Sequence, residues 1–383
     1  MRLLLSVICF VVFVLFSNAQ VLDTALAAPS QKVYGFTIMS GSMLVHSKKM
    51  ENIRGAKPKG FEVEISKLNT SFRTYSNWGF VTRSGFAFSY FDFSTPILGS
   101  TYNIGYFIEP IFQLGSRVQL RVRGAVGLGY LTNPNPNLTD TSITANNVYG
   151  THINSSLQLS VATSVNVTKH VSAFVRGTFS HNSNAGFAIP NLGTNYPSIG
   201  FGILYHQTSN SLPHYKRIKD YSWKQNNPIH YELGIFNTGK NGWTGEGQKY
   251  KRQLLLGINI TASKRVSNVN ALTFGLEGYH DGGIALTKNV INDSSHSFYA
   301  SVLIGNEFFL NRITLNTQIG AHFIRNTDYY NKEYLKGQKQ IGTIYQRFGI
   351  TYQIAKRYKI GFSLLTRLNV ADFFDFRLAY RLK

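Results

Sequence analysis

The segment RVQLRVRGAVGLGY (117–130) sets Val118, Leu120, Val122, Val126, Leu128 and Tyr130 at even positions, and Arg117, Gln119, Arg121 and Arg123 at odd ones. Alternate side chains of a strand project from opposite faces, so this stretch reads as a strand with one apolar and one charged face. Three arginines on one face are costly in a dry core and ordinary in a wet lumen. Glu109, on the polar face of the preceding segment TYNIGYFIEPIF, is a plausible partner for them. That segment sends Tyr102, Ile104, Tyr106, Ile108 and Phe112 the other way.

The same period recurs in LLLGINIT (254–261), ITLNTQIGAHF (313–323) and the C-terminal FDFRLAYRLK, where Phe374, Phe376, Leu378, Tyr380 and Leu382 alternate with Asp375, Arg377, Arg381 and Lys383. An amphipathic aromatic strand at the chain end resembles the assembly signal of bacterial outer-membrane barrels. Strand signals number about sixteen. Eight fall near 31–46, 60–68, 84–93, 100–113, 117–131, 151–166, 169–183 and 195–207, and the rest run from 229 to the end. Between the sets, QTSNSLPHYKRIKDYSWKQNNP (207–228) is basic and poor in pattern, so 209–228 reads as a linker or long turn. The expected fold is all-β, an antiparallel transmembrane outer-membrane β-barrel. A single large barrel of about 14–16 strands, closed by the last strand on the first, is favoured over two successive 8-stranded units. A secreted β-sandwich would alternate as well.

Export fits that expectation. Arg2, the apolar run LLLSVICFVVFVLF (3–16) and the following SNA describe a signal peptide over 1–19, cleaved after Ala19, with ALAA (25–28) as a second possible site. The single cysteine, Cys9, lies inside this run, so the mature chain offers no disulfide, thiol nucleophile or cysteine-bound metal. With 39 Lys+Arg against 18 Asp+Glu, the formal charge of +21 suggests an anionic partner. For an exported chain that means a phosphate-rich membrane surface rather than nucleic acid. No second run is apolar and long enough for a membrane helix, while 28 Phe and 22 Tyr suit membrane strands.

Chemistry concentrates in FSHNSNAGFAIPNLGTN (179–195). Along VSAFVRGTFSHNS, His181 and Ser183 share parity with Val171, Ala173, Val175 and Phe179, so they leave the strand on its apolar face. On the next strand, Asn195 shares parity with Ile199, Phe201, Ile203 and Tyr205. Polar groups facing lipid are costly unless paired or used. A histidine within reach of a serine hydroxyl can take its proton and make it a nucleophile, given a third residue to fix the imidazole. Spacing alone also allows a strand end whose His, Ser and Asn merely face headgroups.

SHNSNAGFAIPNLGTN resembles the signature of the lipid A 3-O-deacylase family (PagL-type, acyloxyacyl hydrolases), which runs His-x-Ser-Asn-Ala/Gly and then Pro-Asn-x-Gly. VHSKKM (45–50), KGFEVEISK (59–67), LGYLT (128–132) and YGTHINSSLQL (149–159) look like the surrounding pattern of longer members. The likeness covers roughly 31–208 and leaves 229–383 as additional strands of unknown role. The resemblance implies a cofactor-independent outer-membrane esterase acting on the 3-O-acyl ester of lipid A, with lipopolysaccharide as substrate. Ser183 would then be the nucleophile and His181 the general base, with Asn184, Gly186 and Asn191 in oxyanion or loop-shaping roles. The family's acid falls on Asn195, a departure, because an amide can orient an imidazolium but cannot neutralise it.

Other features weigh less. His46 lies in family-like surroundings, but a lone strand histidine is usually structural. GAVGLGY (124–130) is not a dinucleotide loop, and YHDGG (279–283) is too slight a basis for a metal site. The rival reading is a non-catalytic barrel, a channel or structural protein, that retains the motif.

Overall fold

A computed structural model describes residues 31–382 apart from internal stretches that include 185–187, 214–223 and 326–342. The signal-peptide expectation over 1–19 and Gly186 both lie outside the described residues. The first eight strands are β1 (Gln31–Gly41), β2 (Lys59–Asn69), β3 (Val81–Asp92), β4 (Ser100–Gln113), β5 (Val118–Leu131), β6 (Ile153–Asn166), β7 (Val171–Ser183) and β8 (Thr194–His206). The next eight are β9 (His230–Trp243), β10 (Tyr250–Ser267), β11 (Asn270–Asp281), β12 (Phe298–Leu310), β13 (Ile313–Ile324), β14 (Ile344–Gln353), β15 (Tyr358–Arg367) and β16 (Val370–Arg381).

The chain closes twice. β8 pairs antiparallel with β1, placing Ile203 opposite Phe36, and β16 pairs with β9, placing Leu378 opposite Ile235. Two closed 8-stranded barrels therefore stand where the favoured sequence reading put one large barrel, and the alternative of two successive units holds. The physical reason is that eight tilted strands already suffice to leave no open edge. Alternation, which is all that the sequence displays, is the same whichever edges meet.

The face assignments follow the period. Arg121 and Arg123 turn inward and are buried, whereas Arg117 sits exposed in the turn before β5. Inside the first barrel Arg83 bridges Glu64 and Glu109, the latter at 2.8 Å, and Arg121 reaches Glu109 at 3.3 Å. Arg123 holds Glu62 at 2.8 Å and Glu64 at 2.7 Å, while Arg176 holds Glu62 at 2.8 Å. Phe107 lies 3.8 Å from the Arg123 guanidinium and Phe174 lies 4.4 Å from that of Arg121. Such ions are tolerable only because each is paired, and removing one partner from a buried pair costs roughly 3–5 kcal/mol. The cavity beside Glu62, Ser89 and Asn103 is about 10 Å³, room for about one water. This lumen is a packed post, which gives no support to a channel in this half. The second barrel repeats the device, with Arg347 on Glu277 at 2.7 Å and Asp375 at 2.5 Å, beneath stacked Tyr279 and Tyr299.

Outward, Phe36, Ile38, Ile65, Ile104, Val175, Ile199 and Phe201 are all exposed, an apolar band fit for hydrocarbon. The connections 70–80, 114–117 and 167–170 at one end hold 11, 4 and 4 residues, and 42–58, 93–99, 132–152 and 184–193 at the other hold 17, 7, 21 and 10, so the longer ones gather at the second end. That asymmetry is the one outer-membrane barrels show between periplasm and exterior. Met43, Met50, Ile53, Phe91, Phe93, Tyr149 and Tyr196 pack together at the long-connection end of the first barrel. Met50 and Ile53 arrive there on a 3-10 helix, Lys48–Ile53, whose first N–H groups are met by Ser47 Oγ, which accepts from Lys49 N. The pair in YHDGG has a structural explanation. Asp281 caps helix α1 (Gly282–Val290), its Oδ1 accepting from Ile284 N at 3.0 Å.

Because the first barrel closes on itself, a chain ending at residue 208 behind its own export signal is expected to fold. The check is heat-modifiable migration on electrophoresis of outer-membrane extracts. A fragment that shows no such shift, while the full chain does, contradicts independent closure.

Candidate active site

β7 and β8 form the site because their ladder sets His181 directly opposite Asn195 and Asn182 opposite Thr194. Alternation persists to the end of β7. Ser172, Phe174, Arg176, Ser180 and Asn182 are buried inward, while Val175 and Phe179 are exposed. His181 and Ser183 therefore leave the sheet on the outer face, as the period predicts. His181 is half-buried and Ser183 is 5% exposed, because residues 190–193 cover the hydroxyl, with Asn191 at hydrogen-bond distance.

Three interactions shape that cover. Tyr149 and Asn191 form an isolated bridge, and the N–H groups of Leu192 and Gly193 donate to Val148 O at 2.8 and 3.2 Å. Tyr149 is itself fixed, its hydroxyl donating to Leu98 O at 2.5 Å. Burial pushes that hydroxyl well above its ordinary pKa, so it remains a donor. The cover is thus fastened to the apolar cluster beneath it.

Ser183 Oγ donates to Asn191 Oδ1 at 2.8 Å, and the same oxygen accepts from Asn184 N at 3.1 Å. The Asn184 side chain donates to Ala188 O at 3.0 Å and Pro190 O at 3.3 Å. In this arrangement Asn184 shapes the loop, while the two bonds to Asn191 Oδ1 leave its Nδ2 as the arm that they do not use. Ser155 on β6, opposite Ser183, donates to the Ser183 carbonyl at 2.7 Å and steadies the backbone there.

On the imidazole side, His181 Nδ1 lies 2.6 Å from Asn195 Oδ1. Asn195 Nδ2 lies 3.2 Å from His46 Nδ1, and His46 Nε2 lies 3.1 Å from Leu192 O. His46 reaches the site because the chain beyond β1 continues alongside β8, with Leu44 N donating to Asn195 O at 2.8 Å. Sequence reasoning kept His46 as a structural residue, and the backbone carbonyl of Leu192 carried no sequence signal at all. The family-like surroundings of VHSKKM were the one available hint. Among the described residues no group of three potential metal ligands occurs.

A family model described as lipid A 3-O-deacylase (PagL) matches residues 59–209, and one described as acyloxyacyl hydrolase, C-terminal domain, matches 229–383. The chain therefore belongs to the lipid A 3-O-deacylase family, carboxylic ester hydrolases of the bacterial outer membrane. The second barrel, which had no place in the sequence likeness, has a family model of its own. Among solved structures, the outer-membrane enzyme PagL is similar at 13% identity over 44% of this chain and 97% of that one, with a TM-score of 0.32. Neisserial surface protein A is similar at 13% identity over 47% and 97%, with a TM-score of 0.31. No curated protein matches the chain.

Gly193 sits against the imidazole with φ at +73°, and a Cβ there would lie 2.9 Å from His181 Cε1. Gly193→Ala would therefore both strain the backbone and push the ring. A displacement on the order of 1 Å at a reacting group can cost about a hundredfold. The expected result is a loss of ester hydrolysis of that order with heat-modifiable folding retained. Unchanged turnover would mean that ring position is not set there.

Proposed function

We propose that Ser183 and His181 hydrolyse the 3-O-acyl ester of lipid A on the outer wall of the first barrel. The observation that carries this reading is the parity of β7, which turns both side chains toward the bilayer instead of the charged lumen. Lipid A presents its acyl esters at the membrane boundary, so a nucleophile on the outer wall meets them without lifting the substrate from the leaflet.

The chemistry follows from the groups present. The Ser183 hydroxyl turns from Asn191 to donate to His181 Nε2, which takes its proton as Oγ attacks the ester carbonyl carbon. The tetrahedral oxyanion accepts hydrogen bonds from nearby amides, of which Asn191 Nδ2 is the side-chain candidate. Collapse breaks the bond to the sugar 3-oxygen, and His181 returns the proton to it. Water, deprotonated by the same imidazole, then attacks the acyl-serine, and His181 passes that proton to Ser183 Oγ as the ester bond breaks and a 3-hydroxy fatty acid leaves. No cofactor enters this scheme. Asn195 Oδ1 holds Nδ1 throughout. In serine proteases the corresponding Asp→Asn change costs about 10⁴ in turnover, because the amide presents the wrong tautomer. Lys48 and Lys49, exposed beside His46, offer cations to the lipid A phosphates.

The test compares lipid A mass spectra from cells expressing wild type and Ser183→Ala. Wild type is expected to shift lipid A by the mass of one 3-hydroxyacyl group, and Ser183→Ala to abolish the shift. Equal spectra from two correctly inserted proteins would reject the proposal.

A further inference from the structure

An amide in place of a carboxylate raises a question of direction. A carboxylate accepts through both oxygens, so either rotamer leaves the proton of a neighbouring imidazole on the nitrogen it faces. An asparagine that turns over presents N–H instead, and then His181 Nδ1 must accept, the proton moves to Nε2, and the base is lost. Something has to fix the Asn195 amide.

With His46 as a neutral imidazole, the hydrogen bonds beyond Asn195 have one consistent reading. Leu192 O is a carbonyl and can only accept, so His46 Nε2, 3.1 Å away, carries a proton. The other nitrogen of a neutral imidazole is a lone pair and needs a donor. Asn195 Nδ2 supplies it at 3.2 Å. With its nitrogen committed to His46, the amide has only its oxygen for His181, and Oδ1 sits 2.6 Å from Nδ1. That oxygen accepts, the proton stays on Nδ1, and Nε2 is left bare for the serine. The chain of bonds runs from a backbone carbonyl through His46 and Asn195 to the catalytic ring, and its direction is set at the carbonyl end.

We propose that His46 is a positioning residue which, anchored on the Leu192 carbonyl, locks the Asn195 amide and so selects the His181 tautomer that acts as base. This rests on the Ser183–His181 reading above. It explains why His46 is drawn to the site by the extension of β1 along β8. It also predicts that His46 matters only while residue 195 is an amide.

The experiment measures ester hydrolysis by full-length proteins in detergent: wild type, His46→Phe, Asn195→Glu, the double variant and Ser183→Ala. A net hydrogen bond's worth of tautomer preference corresponds to roughly tenfold. His46→Phe is therefore expected to lower kcat by about tenfold or more with little change in KM. Asn195→Glu, which also offsets the imidazolium charge, is expected to raise kcat. In that background His46→Phe should cost less than about twofold, a strong departure from additivity. Equal losses in both backgrounds, with all variants migrating as folded barrels, would reduce His46 to packing and overturn the proposal. So would the absence of any loss in the amide background. Activity that survives Ser183→Ala would instead defeat the underlying Ser–His chemistry, and this proposal with it.

Discussion

A strand crossing hydrocarbon leaves its backbone N–H and C=O groups with no water to meet them, and only a ladder that closes on itself satisfies them all. Everything else in this protein is arranged around that requirement. Closure forces strict alternation, because each strand has lipid on one side and the lumen on the other. The inward positions, cut off from bulk water, carry charges that each meet at least one opposite charge. Arg83, Arg121, Arg123 and Arg176 share Glu62, Glu64 and Glu109 in the first barrel. The outward positions are largely apolar.

His181, Ser183 and Asn195 form a polar cluster on that wall, at the end of β7 and the start of β8. Their placement reconciles two demands, a polar site and a greasy wall. The site stands where the strands emerge, with Asn191 against the hydroxyl and Gly193 against the imidazole. An asparagine in the third position suits that location in one respect, because an amide costs less to desolvate than a carboxylate. The loss is charge compensation for the imidazolium. The His46–Leu192 arm addresses direction rather than charge, which is why restoring a carboxylate is expected to speed the reaction.

Much of this was legible in the sequence, and for one reason: period two survives folding unchanged. The strand boundaries of the first half fall within three residues of the expected ones for most elements, since alternation and turn chemistry both mark them. The shared outward face of His181, Ser183 and Asn195 follows from parity alone. What alternation cannot carry is partnership. It does not say that β8 returns to β1 instead of passing the ladder on to β9, which is why the sequence favours one large barrel where the chain builds two. It does not say that residues 42–46 run on beside β8, which is what brings His46 to Asn195. Nor could spacing separate the loop-shaping bonds of Asn184 from an oxyanion role. Those depend on how residues 191–193 lie against Val148 and Tyr149, a contact between segments some forty residues apart.

The central claim is that a nucleophilic serine stands on the outer wall, activated by the histidine two residues before it. The most direct measurement is covalent labelling of the membrane-embedded protein with a long-chain alkyl fluorophosphonate, followed by peptide mass mapping. The account predicts a phosphonyl adduct on Ser183 that is lost in His181→Ala. An adduct confined to other residues, or none at all, in a preparation that still removes the acyl chain from lipid A would contradict it.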